Sequence, residues 1–456
     1  MTEKLESQRI AESSFNVALM YLNGCATPDT KWPDEMLSSA IKAVEAAIPV
    51  DQKCLPPHAV DKDINKAIEW FKKSADGGFL ESLNYLGAIY GAGVDVERDF
   101  ELSTGFFRRS AELGDANGQH NFACSLFSGR GIVRDFDASI KWFTRAAMQD
   151  HAEAQFNLGV IYESEHYPVY DMHKAISWYF KAAECGHKRA QFVAGSLCSG
   201  NEAGNGIVEQ NYEKAVEWYL KSAEQGFEKS MINLAWHLMY GIGVKQDQKA
   251  AFEWYEKAAE LGDTEAAYSV AMAYQSGMGV EIDHEQAVII LSALAQDGHP
   301  NAQHRLGVML IAGDGIEQDP ARGAEMLQNA IDNGCVEAKI DLSACLFRGD
   351  AGETDYERAI DLIKELLEEG DPGAQFNMGL IYLHGLGIEE SKPKAAEMFA
   401  KAAEAGDPRA QYLIGSMLME GSGVEKDLAK AKEWLLKASK FSGFEGCANI
   451  IPEESN

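Results

Sequence analysis

Four side chains in the stretch ESEHYPVYDMH, Glu163, Glu165, His166 and His173, are of the types that ligate a divalent metal. A metal-binding helix sets its imidazoles a fixed four residues apart on one face, as in HExxH. These donors span a turn instead, so a metal-dependent hydrolase is the least supported function for this chain. Eight cysteines, at 25, 54, 124, 185, 198, 335, 345 and 447, form no CxxC and share no repeated spacing. That argues against a zinc knuckle or a disulfide lattice and for reduced thiols in or near a core. Folding could bring a cysteine to a histidine as a nucleophilic pair, yet the order of residues singles none out. There is no GxSxG. The expectation is a protein that is not an enzyme, with no catalytic residue, no metal and no cofactor.

The segment NLAWHLMYGIGV, residues 233 to 244, offers a different chemistry. Its glycine-x-glycine resembles a phosphate cradle, but such a loop follows a strand and carries a Lys-Ser or Lys-Thr pair. Equivalent pairs recur as GRGI at 129, GMGV at 277, GDGI at 313, GLGI at 385 and GSGV at 421, always after a helical stretch and without that pair. They read as turns. Trp236 and Tyr240, one helical turn apart, remain as candidates for binding.

The elements that position them come from a repeat. Aligning stretches such as HAEAQFNLGVIY and DPGAQFNMGLIY places a small residue at 18, 87, 123, 159, 195, 235, 271, 307, 343, 379 and 415. Downstream runs a second series, Asp63, Asp99, Asp135, Asp171, Asn211, Asp247, Asp283, Asp319, Asp355, Ser391 and Asp427, stepping by 36 residues except for one step of 40. All are side chains that accept from the free amides of a helix start. Four residues beyond each cap comes a small side chain and seven beyond a large one, Trp70, Trp142, Trp178, Trp218, Trp254 and Trp434 among them; this spacing predicts a buried stripe. Glycines at 114, 186, 226, 262, 298, 334, 370 and 406 are placed to stop the second helix. A lone helix pair cannot cover both apolar faces, so the pairs must stack.

The pattern A-x-A-Q-[FY]-x-L-G, then Y-x-x-G-x-G, then D-x-x-K-A-x-x-W-[YF]-x-K-A-A-E-x-G resembles the Sel-one-like repeat (SLR), a relative of the tetratricopeptide repeat, in eleven copies from about residue 11 to 440. The resemblance implies an all-α, right-handed α-solenoid superhelix of about eleven 36-residue helix-turn-helix repeats. It further implies an adaptor, regulator or scaffold, with the first helices lining the concave wall. Residues 1–79 then form an N-terminal repeat with a 33-residue insertion, 80–440 the solenoid, and 441–456 a C-terminal cap and tail. The insertion, with helical periodicity in DEMLSSAIKAVEAAI, either covers the apolar end of the array or reaches a partner.

On this register the wall carries Asn16, Asn121, Asn157, Asn233 and Asn377 two residues before the small position, and Arg305 in the same place. Trp236 and Met272 follow it by one; Tyr240 and His384 follow it by five. A row of amides can donate to and accept from an extended peptide backbone, and an aromatic pair beside it would anchor the peptide. The packing alternative is that Trp236 lies on the longer turn SGNEAGNGIVEQN.

Charge selects among partners. The chain has 71 acidic and 41 basic residues, a net charge of -30, which repels a phosphate backbone and an anionic bilayer at long range. The expected partner is therefore a basic protein or peptide rather than nucleic acid, held in an acidic concave groove. An immunity or inhibitor role against a basic effector is the alternative. The N-terminus lacks a basic-then-apolar secretory plan, and no apolar run approaches the ~20 residues of a membrane span, so a cytoplasmic location is expected.

Overall fold

The structure, a computed structural model, describes residues 2–23, 62–200, 206–441 and 443. Among them are twenty-two α-helices and no strand, running from Thr2–Asn23 to Leu428–Ala438. The chain forms two compact units, Met1–Leu234 with Ile242–Lys245, and Ala235–Gly241 with Gln246–Asn456. Within each, a helix packs chiefly against its neighbours in chain order, the stacking that the repeat demands. Residues 24–61, where the 33-residue insertion falls, and all of 441–456 except Phe441 and Gly443 lie outside the described residues, and with them the expected caps.

Every cap in the second series forms. Asp135 accepts from the amide of Ala138 at 2.8 Å, Asn211 from Lys214 at 2.9 Å and Ser391 from Lys394 at 3.5 Å, each with the capped helix starting one residue later. The same residue closes the turn: the amide of Asp99 donates to the Tyr90 carbonyl at 2.9 Å, and that of Asp135 to Leu126 at 3.0 Å. Asp63 donates likewise to Tyr21 at 2.9 Å, which pairs Thr2–Asn23 with Ile64–Asp76 as one repeat despite the long insertion between them.

The second glycine of each turn does more than turn. Gly131 and Gly279 have φ of 67° and 79°, and a Cβ on either would run into the backbone of the preceding repeat, at Phe100 and Gln248. Tyr167 stands in that register in ESEHYPVYD; there the turn is rebuilt and its ring stacks 4.7 Å from Phe136 of the preceding repeat. At the other end of the repeat, Asp150 takes the glycine-stop register with φ of 58°.

The core corrects one expectation. The large residues seven beyond each cap are only partly buried, and each of six tryptophans there has a lysine or arginine over its ring. The residue eight beyond the cap is the one pressed onto the small position: Tyr179 on Gly159, Tyr219 on Gly195, Phe399 on Gly379. Four-residue steps from the cap keep it under the small residue at +4, whereas +7 lies at the edge of the stripe, where an indole packs one face and exposes the other. Burying each such ring contributes about 1.5–3 kcal/mol.

The glutamine of the A-Q dipeptide joins successive repeats. Gln155 Nε2 donates to the Ala147 carbonyl at 3.0 Å, and Gln191, Gln303 and Gln411 donate to Ala183, Ala295 and Ala403 at 3.2, 3.0 and 3.2 Å. Each carbonyl lies in the last turn of a second helix, where it also accepts from the amide of the stop residue, Asp150, Gly186, Gly298 and Gly406 in turn.

Candidate functional site

The free side of the first helices is built differently in the two units. In the first unit Asn16 and Asn233 are partly buried, and Asn121 and Asn157 converge on one imidazole. His120 Nδ1 lies 3.2 Å from Asn121 Oδ1 and its Nε2 3.0 Å from Asn157 Nδ2. These contacts assign a neutral ring with the proton on Nδ1, since an amide oxygen accepts and an amide nitrogen donates. His120 stacks 4.8 Å from His151, whose own Nδ1 accepts from the Ala154 amide at 3.1 Å as a helix cap. Burial pulls both histidines below their ordinary value.

Cys124 Sγ is 3.6 Å from His120 Nε2, a cysteine and a histidine one turn apart on the same helix. Burial pushes this thiol up to about 11, so it stays protonated at neutral pH. A protonated thiol beside an imidazole already engaged by Asn157 is a packing contact rather than an activated nucleophile.

In the second unit Asn377 is buried, and its Nδ2 donates to the Ile340 carbonyl at 3.3 Å. Arg305 Nε donates to Gln275 Oε1 at 2.6 Å, and His304 Nε2 meets Asp341 Oδ2 at 2.7 Å. Asn157 to His120, Asp341 to His304 and Asn377 to Ile340 are each the same 37-residue step. The side chain two before the small position thus reaches back to the residue three before it in the previous repeat. The expected amide row is, at Asn157 and Asn377, engaged in joining repeats. The signal for this was the column immediately before the asparagines, where His120 and His304 stand.

Trp236 and Tyr240 are placed otherwise. They are 43% and 61% exposed, with ring centroids 5.5 Å apart at 56°. Met272 is partly buried in the same position of the next repeat, and His384 is exposed at the end of its helix. Residues 201–205 of the longer turn lie outside the described residues.

The acidic wall needs correction. Exposed carboxylates concentrate on second helices, such as Glu357, Asp361, Glu365, Glu368 and Glu369 on Tyr356–Glu369. The free side of the first helices is mostly neutral: Ser276, Ala312 and His384 stand in the register of Tyr240, with Arg348 and Glu420 as its exposed charged members. Neighbouring repeats crowd that side and favour small or amide side chains, whereas second helices present solvated faces where a charge costs little.

The residues with metal-ligand chemistry do not converge: His166 and His173 are exposed, and Glu163 Oε2 accepts from the Tyr179 hydroxyl at 2.5 Å. Among the described residues no group of three or more histidines, cysteines or carboxylates is placed to hold a metal ion. No described helix is long and apolar enough to cross a membrane.

The family model for the Sel1 repeat matches eleven consecutive segments, 57–79, 80–115, 116–151, 152–187, 189–227, 228–263, 264–299, 300–335, 336–371, 372–407 and 408–440. The chain belongs to the Sel1 repeat family. Among solved structures, these Sel1 repeats are similar to c5321, described as a protective antigen of uropathogenic Escherichia coli strains displaying an SLR fold. That match has a TM-score of 0.62 and 27% identity, covering 84% of this chain and 90% of that one. A Sel1 repeat protein from Oxalobacter formigenes is similar at a TM-score of 0.50 and 26% identity, over 72% of this chain and 93% of that one. No curated protein matches the chain.

Proposed function

We propose that this Sel1 repeat protein is a non-catalytic scaffold that captures a basic protein or peptide along the free side of its first helices, with Trp236 and Tyr240 as the anchor. Sel1 repeat proteins generally mediate protein–protein interaction. The observation that carries the reading here is the exposure of two large aromatic rings on a helix whose sister positions hold no tryptophan, tyrosine or phenylalanine. Large exposed aromatics cost solubility and are the residues around which binding energy concentrates. Repeats stacked within each unit are preorganised before any partner arrives, so little ordering entropy opposes capture. Net charge of -30 favours a basic partner and disfavours nucleic acid. Cys124, Cys185, Cys198, Cys335 and Cys345 are free thiols, which fits work in the reducing cytoplasm.

Affinity capture from native lysate with the wild-type chain and with the Trp236→Ala/Tyr240→Ala double variant tests this. The expected outcome is a set of basic proteins retained by the first and lost by the second, at nearly equal melting temperatures. Identical retention by both, or a large drop in melting temperature, assigns the pair to packing and ends the proposal.

A further inference from the structure

The described tryptophans fall into two kinds. Trp70, Trp142, Trp178, Trp218, Trp254 and Trp434 each have, three residues on, a lysine or arginine whose charged group sits 4.1–4.4 Å from the ring centroid. In an acidic chain each of these indole faces is thus occupied by a cation from its own helix. At Trp236 the residue three on is Met239, which is buried, and among the described residues no lysine or arginine sits over this ring. The indole is 43% exposed; the ring of the buried His237 meets it edge-on at 5.2 Å and 87°, and Tyr240 presents a second, 61% exposed ring to the same corner at 56°.

From this, and resting on the scaffold reading above, we infer that the Trp236–Tyr240 corner is a receptor for a cationic side chain, the guanidinium of an arginine or the ammonium of a lysine projecting from the bound partner. The attraction is between a positive charge and the negative face of an aromatic ring, strongest for indole. Six other positions in this chain satisfy that preference internally, at a distance that varies by only a few tenths of an ångström. The corner supplies two exposed rings with, among the described residues, no lysine or arginine over Trp236, so the partner brings that cation. The chain's net charge of -30 raises the local concentration of lysine- and arginine-bearing segments over neutral ones. A purely apolar anchor would gain from the rings' area but not from the charge.

The test is a double-mutant cycle with defined probes. A fluorescein-labelled twelve-residue Gly-Ser peptide with four spaced arginines, and its counterpart with citrulline at those places, are titrated by anisotropy against the full-length wild type and Trp236→Leu. Leucine removes the ring while leaving protein charge unchanged, so non-specific attraction cancels. The expected result is a loss of about three- to tenfold for the arginine peptide and close to none for the citrulline peptide. Equal losses for both peptides overturn the cation inference and leave Trp236 as an apolar anchor, with the scaffold reading intact. Absence of loss for the arginine peptide overturns it as well, and the lysate capture then decides the scaffold reading separately. Melting curves of both proteins must coincide; if Trp236→Leu unfolds early, Trp236→Phe takes its place, with a smaller loss for the arginine peptide alone as the supporting result and none as the overturning one.

Discussion

At the scale of single residues, the first-helix side of the first unit depends on a proton being absent. Burial lowers the affinity of His120 and His151 for a proton below the ordinary value of 6.5, and both rings use a bare nitrogen as an acceptor. The unfolded chain therefore binds protons more readily than the folded one, and stability rises with pH through that window. Their contribution is fully present above about 6.5 and is lost as pH falls through that value towards the lower folded values. Melting temperature should hold steady from pH 8 to 7 and fall on acidification from about 6.5 to 5. A His120→Asn/His151→Asp variant, which retains an amide and a capping carboxylate, should show a shallower fall; an unchanged slope would assign the acid response to other groups.

At the scale of elements, the turn glycines separate two physical demands. Gly262 and Gly279 both adopt positive φ, 97° and 79°, so alanine strains the backbone at either. Only Gly279 also lies against the preceding repeat, at the Gln248 carbonyl; a Cβ on Gly262 would meet open space. Gly262→Ala should cost about 1 kcal/mol and Gly279→Ala about 2–4 kcal/mol, read from denaturant midpoints at constant slope. Equal costs would show that the second glycine serves conformation alone. The recurrence of glycine there was legible in the sequence as a turn, but not as a stacking contact, because the atom it avoids lies about 30 residues earlier.

At the scale of the molecule, charge acts before contact. With a net charge of -30 and carboxylates gathered on second helices, the association rate of the arginine peptide should fall about tenfold or more between ~0.01 M and ~0.5 M salt. Dissociation, governed by the corner at Trp236, should change far less in a stopped-flow measurement. A dissociation rate carrying most of the salt effect would place the binding on the acidic second helices instead.

Local rules written in the order of residues were enough for the all-α class, the eleven repeats, each N-cap and the stops, because a cap needs only its own first turn and a helix only its period. The residue order marks Trp236 and Tyr240 as large rings where no sister position holds a tryptophan, tyrosine or phenylalanine, and it leaves exposure and packing on the longer turn both open there. Tertiary packing alone decided which large residue is pressed onto the small register, that Asn157 and Asn377 join repeats instead of standing free, and that carboxylates gather on second helices while the first-helix side is mostly neutral. Each of those depends on side chains about 37 residues apart meeting across an interface, and burial there sets a price on charge that no single helix can reveal.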